Sequence, residues 1–214
     1  MTSLPVALRR GTDRYDVLLI LVASVFFVAP FEGQLIRVFI VALLVLIFLF
    51  ALWTAGVPRR LFVMSGALST IAMAAGILAE FGAGAGPRAV FAGTSVVLCA
   101  LTIAAIVVRL TPRLRVTSRT LAASVSIYLL LGMLFAYVYS LIGTVRDGGF
   151  FAQPGPHDAV SYLYYSFVTL ATVGFGDLTS NNDSGRMLTV LEALSGQLYL
   201  VTVVAVVVSN RGRK

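Results

Sequence analysis

The chain has 214 residues, of which 59% are hydrophobic and only 12% are charged, with a mean hydropathy of +0.97 and a formal net charge of +7. These values exclude an ordinary soluble domain with one core and are typical of a chain solvated by lipid. A single cysteine, Cys99, excludes an intrachain disulfide, and with a single histidine no catalytic or cofactor site is predicted.

Uncharged runs along the chain predict its membrane spans. Six such runs lie between Asp16 and Glu32, Arg37 and Arg59, Arg60 and Glu80, Arg88 and Arg109, Arg119 and Arg146, and after Arg186. A helical span needs about 20 apolar residues, so five runs are long enough, whereas the first, with 15 uncharged residues, is short. The sequence therefore predicts an all-α integral membrane protein with six transmembrane helices.

The basic residues predict how these spans are oriented. Twelve of the 16 Lys and Arg residues fall before helix 1, after helices 2 and 4, and at the C-terminus. Because basic residues favour the inner side, both termini are predicted to be cytoplasmic, in the plasma membrane. Topology thus accounts for the +7 charge, and no nucleic-acid partner is predicted.

The first half divides into a cytoplasmic N-terminus (1–14), a four-helix region (15–108) and a basic cytoplasmic linker (109–120). No arginine lies between Ala89 and Val108, so the fourth helix lacks the charges that a steep voltage response needs. The linker arginines are interpreted either as topology signals or as contacts to anionic lipid. The candidate lipid contacts are Arg113, Arg115 and Arg119.

A different layout begins at residue 121. The predicted parts are an outer helix (121–143), an outer loop (144–158), a short apolar helix (159–171), a glycine-containing loop (172–177), an inner helix (186–209) and a basic tail (211–214). The short helix would extend about 20 Å and cannot cross a hydrocarbon core of roughly 30 Å. It must enter the membrane and return. Because irregular backbone at membrane depth is tolerated only inside protein or beside water, the loop is predicted to line an aqueous path.

The chemistry of the loop follows from its order of residues. Glycines alternate with larger residues, so every second position can take a positive φ and successive carbonyls can point inward. A ring of backbone carbonyls replaces the water shell of a cation. Read alone, the glycines would indicate an ordinary turn, and a phosphate-binding loop is disfavoured because no Lys-Ser or Lys-Thr pair follows. The loop consists of Thr172, Val173, Gly174, Phe175, Gly176 and Asp177.

Residues 121–210 resemble the pore module of the tetrameric potassium channel superfamily. The match rests on Tyr164, Tyr165, Ser166, Thr169, Thr172 to Asp177 and the pair Gly185-Arg186. The resemblance implies a homotetramer with one selectivity-filter strand per subunit and passive conduction of K⁺, the permeant ion, held at Thr172, Val173, Gly174 and Phe175. The chain departs from that family at Phe175, which lacks a phenol oxygen that commonly ties the filter to pore-helix aromatics.

That departure keeps a non-selective monovalent cation channel open as an alternative. Two less favoured alternatives are a potassium-uptake transporter subunit, which usually carries four diverged loops in one chain, and a nonconducting membrane scaffold.

The resemblance also predicts roles around the loop. The predicted filter-support and outer-mouth residues are Tyr164, Tyr165, Thr169, Asp177 and Glu192. Glu192 lies inside a predicted span, where a charge costs a few kcal/mol, so it is either hydrogen-bonded near the pore helix or active in gating. Gly196 is either a gating hinge or a close-packing residue. Leu200, Val204 and Val208 share one helix face and are predicted to line the cavity or inner gate.

Overall fold

A computed structural model describes residues 14–31, 33–110 and 117–211, the last five of these without their side chains. These ranges contain seven α-helices and no strand, which fits the predicted all-α class. The helices are α1 (Tyr15–Val28), α2 (Gln34–Ala55), α3 (Arg59–Glu80), α4 (Ala85–Leu110), α5 (Ser118–Val145), α6 (Ala159–Leu170) and α7 (Asp183–Arg211).

Five of the described helices, α2, α3, α4, α5 and α7, are long and apolar enough to cross a membrane. Helix α1 has 14 residues and α6 has 12, so both fall short of a full span. The shortness of α1 agrees with its short uncharged run, and the count of six transmembrane helices stays a prediction.

Helices α1 to α5 share one apolar core. Helix α5 packs against α4 and α1, and α2 packs against α1, α3 and α4. Fully buried side chains from four of these helices meet in this core, including Leu18, Ile47, Leu98 and Leu130. Cys99 is also buried there, as the small core residue that its mid-span position predicts.

Helix α7 is packed differently. Of the described helices it contacts only α5 and α6. Only 11% of its most apolar stretch is buried, against 44% in α5. Most of the α7 surface is therefore left for lipid or for another protein chain.

Several helix boundaries differ from the predicted ones for local reasons. Helix α5 begins at Ser118 rather than 121, because the Thr117 hydroxyl accepts a hydrogen bond from Thr120 N (3.3 Å) and the Thr120 hydroxyl accepts one from Thr117 N (2.7 Å). Helix α7 begins at Asp183 rather than 186, because the Asn182 side chain accepts a hydrogen bond from Gly185 N (2.9 Å).

The basic linker is correspondingly shorter than predicted. Arg109 belongs to the last turn of α4, and Arg119 belongs to the first turn of α5. The candidate lipid contacts Arg113 and Arg115 lie outside the described residues. The same is true of residues 1–13, of residues 212–214 and of the Val208 side chain.

The predicted outer loop (144–158), although rich in glycine and proline, is partly buried. Phe150 and Phe151 are 1% and 4% exposed, and they pack with Tyr139 and Tyr165 in a second apolar cluster. The loop backbone also pairs with the segment that follows residue 177. Ala152 N donates to Thr179 O (2.8 Å), and Asn181 N donates to Phe150 O (2.9 Å). The free energy gained by burying the two phenylalanine rings favours a packed loop despite its turn-forming residues, and this burial holds the loop against α6.

Candidate functional site

The site is built on α6, the short helix before the glycine-containing loop. Its first turn is capped by Asp158, whose carboxylate accepts hydrogen bonds from Ser161 N (2.9 Å) and from the Ser161 hydroxyl (2.8 Å). Twelve residues give a length of about 18 Å, which is too short to cross a hydrocarbon core of roughly 30 Å. Its carboxyl end carries partial negative charge, which favours a cation nearby.

The backbone of residues 172–177 alternates as the spacing of its glycines predicts. Gly174 and Gly176 have φ of 61° and 81°. Thr172 extends the alternation with φ of 56°, which the sequence analysis missed. A β-branched residue rarely takes this conformation, and holding it there costs on the order of 1–3 kcal/mol, so the surrounding contacts must enforce it.

The amides and the carbonyls of this loop have different surroundings. Thr172 N donates to Thr169 O (2.8 Å), and Val173 N donates to Val168 O (2.9 Å), so the first amides are tied to the end of α6. Among the described residues, the carbonyls of 172–176 accept no hydrogen bond from the chain. All six loop residues are exposed in the single chain. The loop therefore presents free backbone oxygens, the ligands that an alkali cation requires.

Three glycines let the neighbouring helices approach α6 closely. A methyl group added at Gly196 of α7 would lie 2.3 Å from Leu170 O, at the last turn of α6. On α5, a methyl group at Gly132 would lie 2.5 Å from the Phe167 ring, and one at Gly143 would lie 2.2 Å from the Tyr162 hydroxyl. The sequence analysis identified only Gly196 among them, and gave packing as one of its two interpretations.

The predicted support residues lie on two sides of α6. The Tyr164 ring is parallel to the Phe175 ring, with centroids 6.4 Å apart. Tyr165 is buried in the aromatic cluster, and its hydroxyl hydrogen-bonds to that of Thr189 (2.7 Å). Thr169 is 8% exposed, and Asp177 is exposed at the end of the loop. Phe175 lacks the hydroxyl group that the resemblance would place at this position. Its ring nevertheless stacks on Tyr164 of α6.

Glu192 is fully buried where α5, α6 and α7 meet. Its Oε2 accepts a hydrogen bond from the Tyr139 hydroxyl (2.6 Å), and its Oε1 hydrogen-bonds to the Ser166 hydroxyl. This geometry agrees with the interpretation of Glu192 as a residue hydrogen-bonded near the pore helix. The sequence analysis missed Tyr139, because nothing in a run of apolar residues distinguishes this tyrosine from its neighbours.

The predicted gating residues all lie on α7. The helix is continuous through Gly196, and Leu200 and Val204 are exposed in the single chain at 45% and 59%. One further contact from α5 was not anticipated. The Tyr128 hydroxyl donates to Leu170 O (3.3 Å), the same carbonyl that lies against Gly196.

The described chain is thus all-helical, with several long apolar helices and one short helix that leads into a loop of free carbonyls. Those are the features of a multi-pass membrane protein. Residues 125–210 match the model of a protein family described as "Ion channel". Comparison with curated proteins and with solved structures found no match. The family match covers α6, α7 up to residue 210 and α5 from residue 125 onward, and it indicates ion channel activity rather than catalysis.

Proposed function

We propose that this protein is a potassium-selective channel that conducts K⁺ passively through a ring of four filter strands, one from each subunit of a homotetramer. The observation that carries the proposal is the run of free carbonyls at 172–176, with positive φ at every second residue. In such a ring, the carbonyls of Thr172, Val173, Gly174 and Phe175 bind dehydrated K⁺.

The tetramer is supported by the packing of the single chain. One chain supplies one loop, and a ring of carbonyls needs several. The side chains of Val173 and Phe175 are 54% and 69% exposed, although both are apolar. Helix α7 likewise leaves most of its apolar surface uncovered by its own chain. Neighbouring copies would bury these surfaces.

The remaining expectations form part of the same proposal. The protein lies in the plasma membrane with six transmembrane helices and with both termini in the cytoplasm, because its basic residues concentrate on one side. Anionic lipid contacts Arg113, Arg115 and Arg119. No voltage sensing by an arginine-rich fourth helix is expected, since α4 carries only Arg88 near its start and Arg109 near its end.

Gly174 offers the sharpest test of the filter. A methyl group there meets no atom of its own chain within 4 Å, so within one subunit Gly174→Ala acts through the backbone, at φ of 61°. A left-handed alanine costs roughly 1–2 kcal/mol, and a tetramer has four of them. In liposomes, the variant should lose barium-sensitive K⁺ flux by at least about tenfold.

The matched control is Gly82→Ala, between α3 and α4, because Gly82 also has a positive φ (80°) and also has no neighbour within 4 Å. Its flux should equal that of the wild type. Equal losses in both variants would contradict the filter assignment. Absence of flux in the wild-type protein under all conditions would favour a nonconducting scaffold.

A non-selective cation channel is the second candidate, and Phe175 is the residue that favours it. Without a phenol oxygen, Phe175 contacts the pore helix by ring stacking on Tyr164 and cannot donate a hydrogen bond to it. Reversal potentials in opposed K⁺ and Na⁺ gradients separate the two candidates. A potential that follows the K⁺ gradient supports our proposal, and one near zero supports the alternative.

A further inference from the structure

The strongest unexplained feature of the molecule is a buried polar chain that crosses from α7 to α5 through the pore helix. It starts at the Glu192 carboxyl, passes through the Ser166 hydroxyl and ends at Gly132 O, which lies 2.7 Å from Ser166 Oγ. The other carboxyl oxygen of Glu192 accepts a hydrogen bond from Tyr139 (2.6 Å). Both Glu192 and Ser166 are 0% exposed.

Counting hydrogens decides which atom donates in each contact. A serine hydroxyl has one hydrogen, and a backbone carbonyl has none. Because Ser166 Oγ and Gly132 O lie at hydrogen-bonding distance, the serine hydrogen must lie between them. Ser166 then has only lone pairs left for Glu192. The hydrogen in that second contact must therefore come from the carboxyl group.

The surroundings of Glu192 agree with a carboxyl group that carries a hydrogen. None of the ion pairs among the described side chains involves Glu192. The other titratable groups that face it are tyrosines: Tyr139 and Tyr128 on α5, and Tyr165 on α6. A charge inside a spanning helix costs a few kcal/mol without a counter-charge, whereas an uncharged acid with both oxygens hydrogen-bonded avoids that cost.

We propose that Glu192 acts as an uncharged carboxylic acid that donates a hydrogen bond to Ser166, and that this relay positions the pore helix and hence the filter. The inference rests on the proposed channel function. Val168 O, two residues beyond Ser166, accepts hydrogen bonds from Val173 N (2.9 Å) and Gly174 N (3.4 Å). A displacement of Ser166 is therefore transmitted to the filter amides.

Infrared difference spectroscopy of wild-type protein against Glu192→Gln tests where the hydrogen lies. If Glu192 is a neutral acid, the difference spectrum loses one carboxylic-acid C=O band that shifts in D₂O. Loss of carboxylate bands instead would overturn the proposal. This readout does not require conduction, so it separates failure of the relay from failure of the channel function.

Flux measurements test the positioning role. Gln at 192 has an amide N–H that can donate to Ser166 and an oxygen that can accept from Tyr139, in place of the O–H and C=O of a neutral acid, so Glu192→Gln should keep K⁺ flux and K⁺ over Na⁺ preference within about twofold of wild type. Ser166→Ala removes the middle of the relay and should lower the preference about tenfold, since it leaves buried groups without a partner. Ser166→Thr keeps the hydroxyl and should restore most of that loss.

The matched control is Ser195→Ala, because Ser195 is only partly buried on α7 and, among the described residues, its hydroxyl bonds to Leu191 O of its own helix (2.7 Å) and to no other helix. It should behave as wild type. Elution of each variant at the wild-type volume in size-exclusion chromatography shows that it has folded and assembled. A folded Ser166→Ala variant with unchanged preference would overturn the positioning role.

Discussion

Gly196→Ala probes the contact between the inner helix and the end of the pore helix. The added methyl carbon would lie 2.3 Å from Leu170 O and 2.9 Å from the Leu170 Cδ1 carbon. Because carbon and oxygen atoms that are not bonded rarely come closer than 3.0 Å, the pore helix and α7 must separate by at least 0.7 Å. Leu170 is two residues before Thr172, so the displacement reaches the first carbonyl of the filter.

The magnitude follows from two opposing effects. Ala in place of Gly stabilises a helix interior by about 0.5–1 kcal/mol. Overpacking a close contact costs about 1–3 kcal/mol. Gly66→Ala on α3 isolates the first effect, because a methyl group there meets nothing within 4 Å. Thermal unfolding in detergent should therefore show Gly66→Ala slightly stabilised and Gly196→Ala less stable than Gly66→Ala by about 1–3 kcal/mol per subunit.

K⁺ flux in liposomes separates the packing role of Gly196 from the hinge role. A hinge requires flexibility, which a neighbouring glycine supplies, whereas packing requires space at position 196 itself. The double variant Gly196→Ala/Gln197→Gly restores backbone flexibility but keeps the close approach of the added methyl group to Leu170 O. The packing role therefore predicts that K⁺ flux stays as low in the double variant as in Gly196→Ala. Recovery of flux in the double variant, or wild-type stability of Gly196→Ala, would contradict the packing role of Gly196.

Two further predictions concern the contacts around α6. Phe151→Ala removes a side chain that is 4% exposed in the aromatic cluster, and it should destabilise the outer loop by about 3–5 kcal/mol. Limited proteolysis should then show faster cleavage between residues 146 and 158. The control Val145→Ala changes a side chain that is 70% exposed, so this variant should be cleaved at the wild-type rate. Tyr128→Phe removes the hydroxyl that donates to Leu170 O (3.3 Å). It should lower the free energy of unfolding by about 1 kcal/mol without changing ion preference. A change in ion preference with no loss of stability would contradict a purely stabilising role for this hydrogen bond.

The short helix α6 and the glycine-containing loop after it were predictable because their constraints are local. The 12-residue length of α6 and the alternating glycines of the loop follow from chain geometry and from the thickness of a bilayer. The contacts that hold α6 were not predictable. Gly132 and Tyr139 lie on α5, far in sequence from Phe167 and Glu192, and single-chain patterns carry no information on which helices meet.

The packing of α6 also bears on the loss of a phenol oxygen at Phe175. In the described chain, the first filter amides are held by carbonyls of α6, so the filter keeps its register only if α6 keeps its position. That position rests on the contact of Gly196 with Leu170, on that of Gly132 with Phe167, and on the hydrogen bonds of Glu192. Rigidity is thus supplied from behind the filter. Substitutions that break those contacts, such as Ser166→Ala but not the conservative Glu192→Gln, should therefore disturb ion preference more than substitution of Phe175 by tyrosine does.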